Sequence, residues 1–275
     1  MLQHVNTELL LEEINTDGHA PLKFFCSSND IYYCKYLNSY SRLEFNCLAY
    51  EVIANYLLNR LQIPTPEIAL INISEGTLDK AKIKSNRRLK EGDTCFGSKE
   101  VKFAQEFQAI QDFTKVDFNR LLNPEDIIKI AIFDLWVDNT DRGRYFDDGI
   151  NYNLLIEPAG SRQKIVAFDN AFIFGGIQNI GTFNSQTVIN TTNKLVETSF
   201  YKNIVKHIDI NNFNQIVNNF IPLLTQNSEQ DINGIIIQLP SEWELTPNLS
   251  TRIDNYLSNQ AHIDRIENII LQSKK

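Results

Sequence analysis

Apolar residues recur with two different periods along this chain, and the change of period divides it. Up to residue 40, short runs alternate with turn signals. Leu22 to Cys26 and Ile31 to Leu37 are β-like runs rich in aromatics; Asp17-Gly18 precedes them and Ser28-Asn29-Asp30 separates them. They predict two antiparallel strands, the second ending on Lys35. From 42 to 62 the spacing lengthens to three and four. Leu43, Cys47, Tyr50, Ile53, Ala54, Leu57, Leu58 and Leu61 predict a helix that Pro64 and Pro66 stop. Glu67 to Ile73 reads as a strand. Residues 74–94 are polar and carry Lys80, Lys82, Lys84, Arg87, Arg88 and Lys90. They read as a solvated surface excursion or hairpin, with a basic partner-binding strip as the other reading.

The remaining pattern is mainly helical. Helices are predicted over 104–122 and 125–137, the second opened by Pro124. Apolar runs of strand length at 153–156 and 164–168 flank the turn Pro158-Ala159-Gly160. After about 195 the helical period dominates, over 213–224 and then 248–271. No internal repeat is visible. Strands, a helix and more strands therefore come first, and a helical half follows with one short hairpin inside it. That segregation predicts an α+β fold of two lobes with a cleft between them. The small β-rich lobe is placed at 1–103 and the larger helical lobe at 104–275.

Composition narrows the class. Hydrophobic residues are 43% of the chain and charged residues 22%, as in a soluble globular protein. The formal net charge of −8 disfavours non-specific nucleic-acid binding through a basic face. Cys26, Cys34, Cys47 and Cys95 form no CxxC pair and have no histidine cluster beside them, which argues against zinc. The first residues lack the basic start and apolar run of a signal peptide, and no stretch of about 18 apolar residues suggests a membrane span. The expectation is a cytoplasmic protein with free thiols.

Chemistry concentrates between Phe133 and Phe174. Asn139-Thr140-Asp141-Arg142 follows an apolar helix. Asn151-Tyr152-Asn153 leads into the strand Leu154-Leu155-Ile156, and Ile165-Val166-Ala167-Phe168 leads into Asp169-Asn170. Each piece alone is an ordinary turn or cap. Phosphoryl transfer explains the set: one carboxylate orients or deprotonates a hydroxyl, while an Asn and a second carboxylate hold magnesium ions on the phosphates. A hairpin with Asn at its entry and Asp at its exit puts both ligands at one end, where Asp141 can face them.

This segment resembles the catalytic region of HipA-like kinases and, more distantly, of phosphatidylinositol and protein kinases. The resemblance implies a bilobal kinase-like fold and an ATP-dependent phosphotransferase using Mg, with a protein Ser or Thr as acceptor. It matches Asp141 to the catalytic aspartate and Asn151 and Asp169 to the metal-binding pair. Arg142 is left either to neutralise charge in the loop or to pair with a carboxylate. Asn151 comes ten positions after Asp141, more than is usual in the family. Tyr145 to Gly149 therefore reads as an insertion that adds Asp147 and Asp148, and Asn153 stands as an alternative to Asn151.

Upstream, Lys35 matches a strand lysine that contacts phosphates. Its helix partner is Glu51, with Glu44 competing. Asp17-Gly18-His19-Ala20-Pro21 occupies the place of the phosphate-covering loop, giving Gly18 and His19 as nucleotide-binding candidates. Cys95 to Lys99 is placed near the connection between lobes, and Ser241-Glu242-Trp243 is read as structural. Other readings on the same fold are a catalytically inactive module that binds nucleotide or protein, a nucleotidyl transferase, and a kinase with a small-molecule or lipid acceptor. An antitoxin-like partner protein is a further possibility that the resemblance raises.

Overall fold

A computed structural model describes residues 2–15, 20–37, 46–84, 89–108, 113–147, 149–175, 191–226 and 229–274. The fold is mixed α+β. Five strands, β1 (His4–Glu13), β2 (Leu22–Cys26), β3 (Ile31–Lys35), β4 (Ile68–Asn72) and β5 (Thr94–Lys99), close into a barrel of order β1-β2-β3-β5-β4. Alternation decides what fills it. Leu22, Phe24 and Cys26 on β2, with Tyr32 and Cys34 on β3, point inward and are buried, as are Ile71 and Cys95. Each large apolar side chain so buried contributes about 1.5–3 kcal/mol. Gly97 on β5 leaves room for the Ile71 side chain, which a Cβ there would strike. All four cysteines are buried free thiols.

Sequence pattern and structure part company at three places in these elements. Residues 95–99 lie inside the barrel, as β5 between β3 and β4, rather than near a connection between lobes. β1 has no clean alternation, because register shifts interrupt its pairing with β2 between Thr7 and Leu9 and between Leu10 and Glu12. The helix expected over 104–122 is replaced by a two-residue strand, β6 (Gln105–Glu106), and a short helix, α2 (Lys115–Arg120). Phe103 adopts a left-handed φ of 62°, and the Phe107 amide donates to Leu154 O, so the chain is extended there. Thr114 then starts α2 with a capping box to Asp117.

The helix α1 (Cys47–Arg60) leaves the barrel and is buried nearly all round. Its apolar residues share one core with α3 (Asp126–Trp136), α4 (Ser199–His207), α5 (Ile210–Leu224), α7 (Leu249–Leu257) and α8 (Gln260–Ser273). The short α6 (Glu229–Ile236) packs against α1 and α7. One continuous helix over 248–271 is not formed. Asn259 accepts from the His262 amide and so caps a new helix. Trp243 is buried in a 3-10 turn, and its indole donates to Thr94 O on β5 at 2.9 Å.

Between α3 and α4 lie two hairpins. β7 (Arg144–Phe146) and β8 (Gly149–Asn151) form a two-stranded ribbon, and β9 (Leu154–Ala159) and β10 (Arg162–Ala167) form the second, with β6 on its edge. Leu154, Ile165 and Ala167 face the large core. Leu155 and its partner Val166 therefore face the other way, together with Glu106, which pairs with Leu155.

Candidate active site

Three ionisable groups meet at the end of β3. Lys35 lies outside the barrel, because Cys34 takes the inward position. Its ammonium contacts Glu51 Oε1 and Asp169 Oδ1, both at 2.6 Å. Glu51 comes from the second turn of α1, and its other oxygen accepts from the Asn170 amide at 2.8 Å. Asp169 follows β10 with a left-handed φ of 52°, which turns its side chain back toward Lys35. Burial disfavours the charge on Lys35, but Asp169 and Glu51 outweigh it and the pKa is raised. One ammonium cannot hold two carboxylates equally. Burial raises the pKa of Glu51; burial also opposes the charge on Asp169, but Lys35 outweighs it and that pKa is lowered.

Asp141 sits opposite, on the loop after α3. Its Oδ2 accepts from Asn151 Nδ2 at 2.9 Å and from Asn153 Nδ2 at 2.8 Å. Asn153 Nδ2 also donates to Asp169 O, so this amide bridges the two loops. Asn153 is buried with a φ of 45°; Asn151, at the end of β8, is half-buried. Burial pushes the Asp141 pKa up, and the charge of Asp169 adds to the rise. A carboxylate with a raised pKa facing a second carboxylate is a common arrangement at reacting centres. Burial raises the Glu106 pKa too, and the charge of Asp169 adds to the rise.

The Asp141 loop is held by a buried network. Arg142 has a fully buried side chain and contacts Asp134 Oδ1 at 2.5 Å. It also donates to Phe168 O, to Asn170 Oδ1 and, at 3.3 Å, to Asn153 O. Asn139 donates to Asp134 and accepts from the amides of Asp141 and Arg142. Lys194 pairs with Asp138 at 2.8 Å and donates to Asn139 O. Gly143 completes the turn: its φ is 92°, and a Cβ there would strike the backbone of Lys194 and Leu195. Burial pushes the Asp134 carboxyl up to about 6 against the opposing pull of Arg142.

The structure thus brings Lys35, Glu51, Asp141, Arg142, Asn151, Asn153 and Asp169 into one contiguous site. Gly18, His19 and Glu44 lie outside the described residues. Asp134, Asn139, Asn170 and Lys194 also belong to it, and the sequence reading gave them no role. One of these was signalled: Asp134 is a lone carboxylate within the apolar run Ile130 to Val137. Lys194 carries no local signal at all.

Among the described residues, no group of three or more His, Cys, Asp or Glu side chains could hold a metal ion alone. Magnesium does not require one, since it keeps waters and takes phosphate oxygens. The Asp169 carboxylate and the Asn151 amide oxygen are hard donors that fit it. Among the described residues no helix is long and apolar enough to cross a membrane.

A family model described as HipA-like kinase matches residues 16–273. The crystal structure of a Helicobacter pylori proinflammatory kinase, CtkA, is similar at 14% sequence identity, covering 98% of this chain and 94% of that one, with a TM-score of 0.44. No curated protein matches.

Proposed function

The chain belongs to the HipA-like kinase family, and we propose that it transfers the γ-phosphoryl group of ATP to a Ser or Thr hydroxyl of a protein. The observation that carries this is the Lys35 ammonium shared by Glu51 and Asp169, with Asp141 facing Asp169 across a pair of Asn amides. In this reading residues 1–103 and 104–275 are two lobes of one kinase-like unit. The nucleotide lies between them.

Lys35 is held by Glu51 so that its ammonium can meet phosphate oxygens. Leu155 and Val166 offer an apolar floor for the base, with Glu106 beside it. Asn151 and Asp169 would hold magnesium, which neutralises phosphate charge when bound. We prefer Asn151 to Asn153 because Asn153 is buried and its amide is already shared between Asp141 and the Asp169 carbonyl. Asp141 accepts the hydrogen of the acceptor hydroxyl and aims its oxygen at phosphorus; its raised pKa suits it to taking that proton. The O–P bond to the acceptor forms as the bond to the leaving ADP oxygen breaks.

Incubation with ATP labelled separately at the α and γ phosphates tests the reading. Label from γ on protein is expected. Label from α alone would mean nucleotidyl transfer. Binding of ATP without transfer of either label would mean an inactive nucleotide-binding relative.

A further inference from the structure

The segment that looked like an insertion is the β7–β8 ribbon, and it is joined directly to the reacting residues. Gly143 N donates to Asn151 O and Arg144 N to Asp141 O, so the foot of the ribbon is the Asp141 loop itself. Arg144 pairs with Asn151, Tyr145 with Ile150 and Phe146 with Gly149. Alternation places Arg144 and Phe146 on the face that carries Asn151. Ile150, on the opposite face, packs against the large core and anchors the ribbon.

The Asn151 face carries unsatisfied contact surface. Phe146 is 47% exposed, and across from it Gly149 offers no side chain to cover the ring. The Arg144 guanidinium lies over that ring, 4.8 Å from its centroid, and Arg144 forms no ion pair among the described residues. A guanidinium stacked on a ring keeps its N–H edge available for a carboxylate.

We propose that this face of the ribbon seats the acceptor: an extended segment of a protein, with an acidic residue against Arg144 and an apolar residue against Phe146. The inference rests on the reading of Asp141 as the group that meets the acceptor hydroxyl. Arg144 is level with Asn151, whose amide touches Asp141. Phe146 lies two residues further along the ribbon, roughly 7 Å at the rise of a strand. A substrate that reaches Asp141 and also covers Phe146 must span that length, which suits a polypeptide better than a metabolite. An extended segment has the same rise per residue as the ribbon. Its acidic and apolar residues therefore fall about two positions apart, with the acidic one nearer the acceptor Ser or Thr. Closing a peptide over Arg144 removes water from the guanidinium, which is favourable only if an anion takes its place.

The test is a positional-scanning peptide library with a fixed Ser, phosphorylated by the full chain with magnesium and γ-labelled ATP. The wild type should select Asp or Glu near the Ser and an apolar residue about two positions beyond the acidic one. Arg144→Glu should invert the first preference to Lys or Arg, a gain that misfolding cannot produce. On the best wild-type peptide, Phe146→Ala should raise KM about tenfold and leave kcat within about twofold. Phe146→Leu should recover most of that loss. Unchanged selection in Arg144→Glu would overturn the proposal, as would a wild type that binds ATP and labels no peptide. So would loss of the ATP-induced thermal shift in Arg144→Glu, which would assign Arg144 to the nucleotide. Absence of any ATP-induced shift in the wild type would instead sink the phosphotransfer reading beneath it.

Discussion

Phe168 and Asp169 are neighbours in sequence, and two clusters of charge meet on them. Phe168 O takes the Arg142 guanidinium, whose partner Asp134 is sealed in the core. Asp169 takes Lys35, and here the side chains are 16% exposed for Lys35 and 30% for Asp169, against 0% for Arg142 and 1% for Asp134. Both clusters contain short contacts between a cation and a carboxylate. Accessibility separates their roles. A sealed pair has no competitor and acts as framework. An open pair can exchange partners, and in the function proposed above Lys35 would pass from Asp169 to a phosphate and leave Asp169 to a metal ion. Distance alone would not have distinguished framework from machinery.

Substitution of the sealed cation should have the largest effect. Arg142→Met leaves the Asp134 charge buried without its partner and should cost about 3–5 kcal/mol in denaturant unfolding. The paired change Asp134→Leu with Arg142→Met should recover much of that loss. A single substitution costing under about 1 kcal/mol would erase the distinction between the clusters.

The sealed cluster should also respond to pH. The Asp134 carboxyl is pushed up to about 6 in the folded chain, above its ordinary value of 3.8. Between those values the folded state holds a proton that the unfolded state has lost. Stability from this group is therefore greatest at the acid end of the window and falls as pH rises through 6, by at most on the order of 3 kcal/mol. The difference in unfolding free energy between wild type and Asp134→Asn, measured from pH 4.5 to 7, should show this slope. A flat difference would show that Arg142 offsets burial completely.

On the open side the readout changes from folding to chemistry. Asp141→Asn should lower phosphoryl transfer on the order of a hundredfold or more while keeping the thermal shift caused by ATP and magnesium. Full activity in this variant would remove Asp141 from the reaction. Lys35→Ala should weaken nucleotide affinity about tenfold, seen as a smaller thermal shift, with a far smaller loss of fold than Arg142→Met. The smallest contrast lies within the Asn pair. Asn151→Ala should raise the magnesium requirement of transfer several-fold, whereas Asn153→Ala should act mainly on stability, because its amide is buried between two loops. The reverse order in a magnesium titration would exchange their roles.

How much of this was legible in sequence depended on how far away the partners lie. β2, β3, α1 and α3 follow from their own pattern, since each buries one face or nearly all faces, and β9 and β10 follow from short apolar runs on either side of a turn. β6 does not, because Gln105 and Glu106 are extended only through pairing with β9, some fifty residues on. Local propensity favoured a helix there and the tertiary pairing overrode it. β1 was obscured by its own irregular register. In the site, polar residues after an apolar helix mark Asp141, and polar residues at the ends of apolar strands mark Asn151 and Asp169. Lys194 and Asn170 have meaning only through distant partners, Asp138 and Asn139 for the first and Glu51 and Arg142 for the second, and no spacing rule reaches them. The inserted residues were visible as extra length, but their ribbon and the face it offers were not.

The barrel is closed by a parallel pairing of β1 with β4, His4 to Asn6 against Leu70 to Asn72. Parallel neighbours need a long crossover, and here the crossover includes β2, β3 and α1. During synthesis, the first strand therefore emerges well before its partner exists, and β5, which completes the ring, follows later still. Until then β1 has β2 as its one neighbour and a bare edge on the other side. Such distant pairings form slowly, and an unpaired edge at that stage can bind another nascent chain. The N-terminal half is thus the part of this protein whose yield should depend most on the rate of translation.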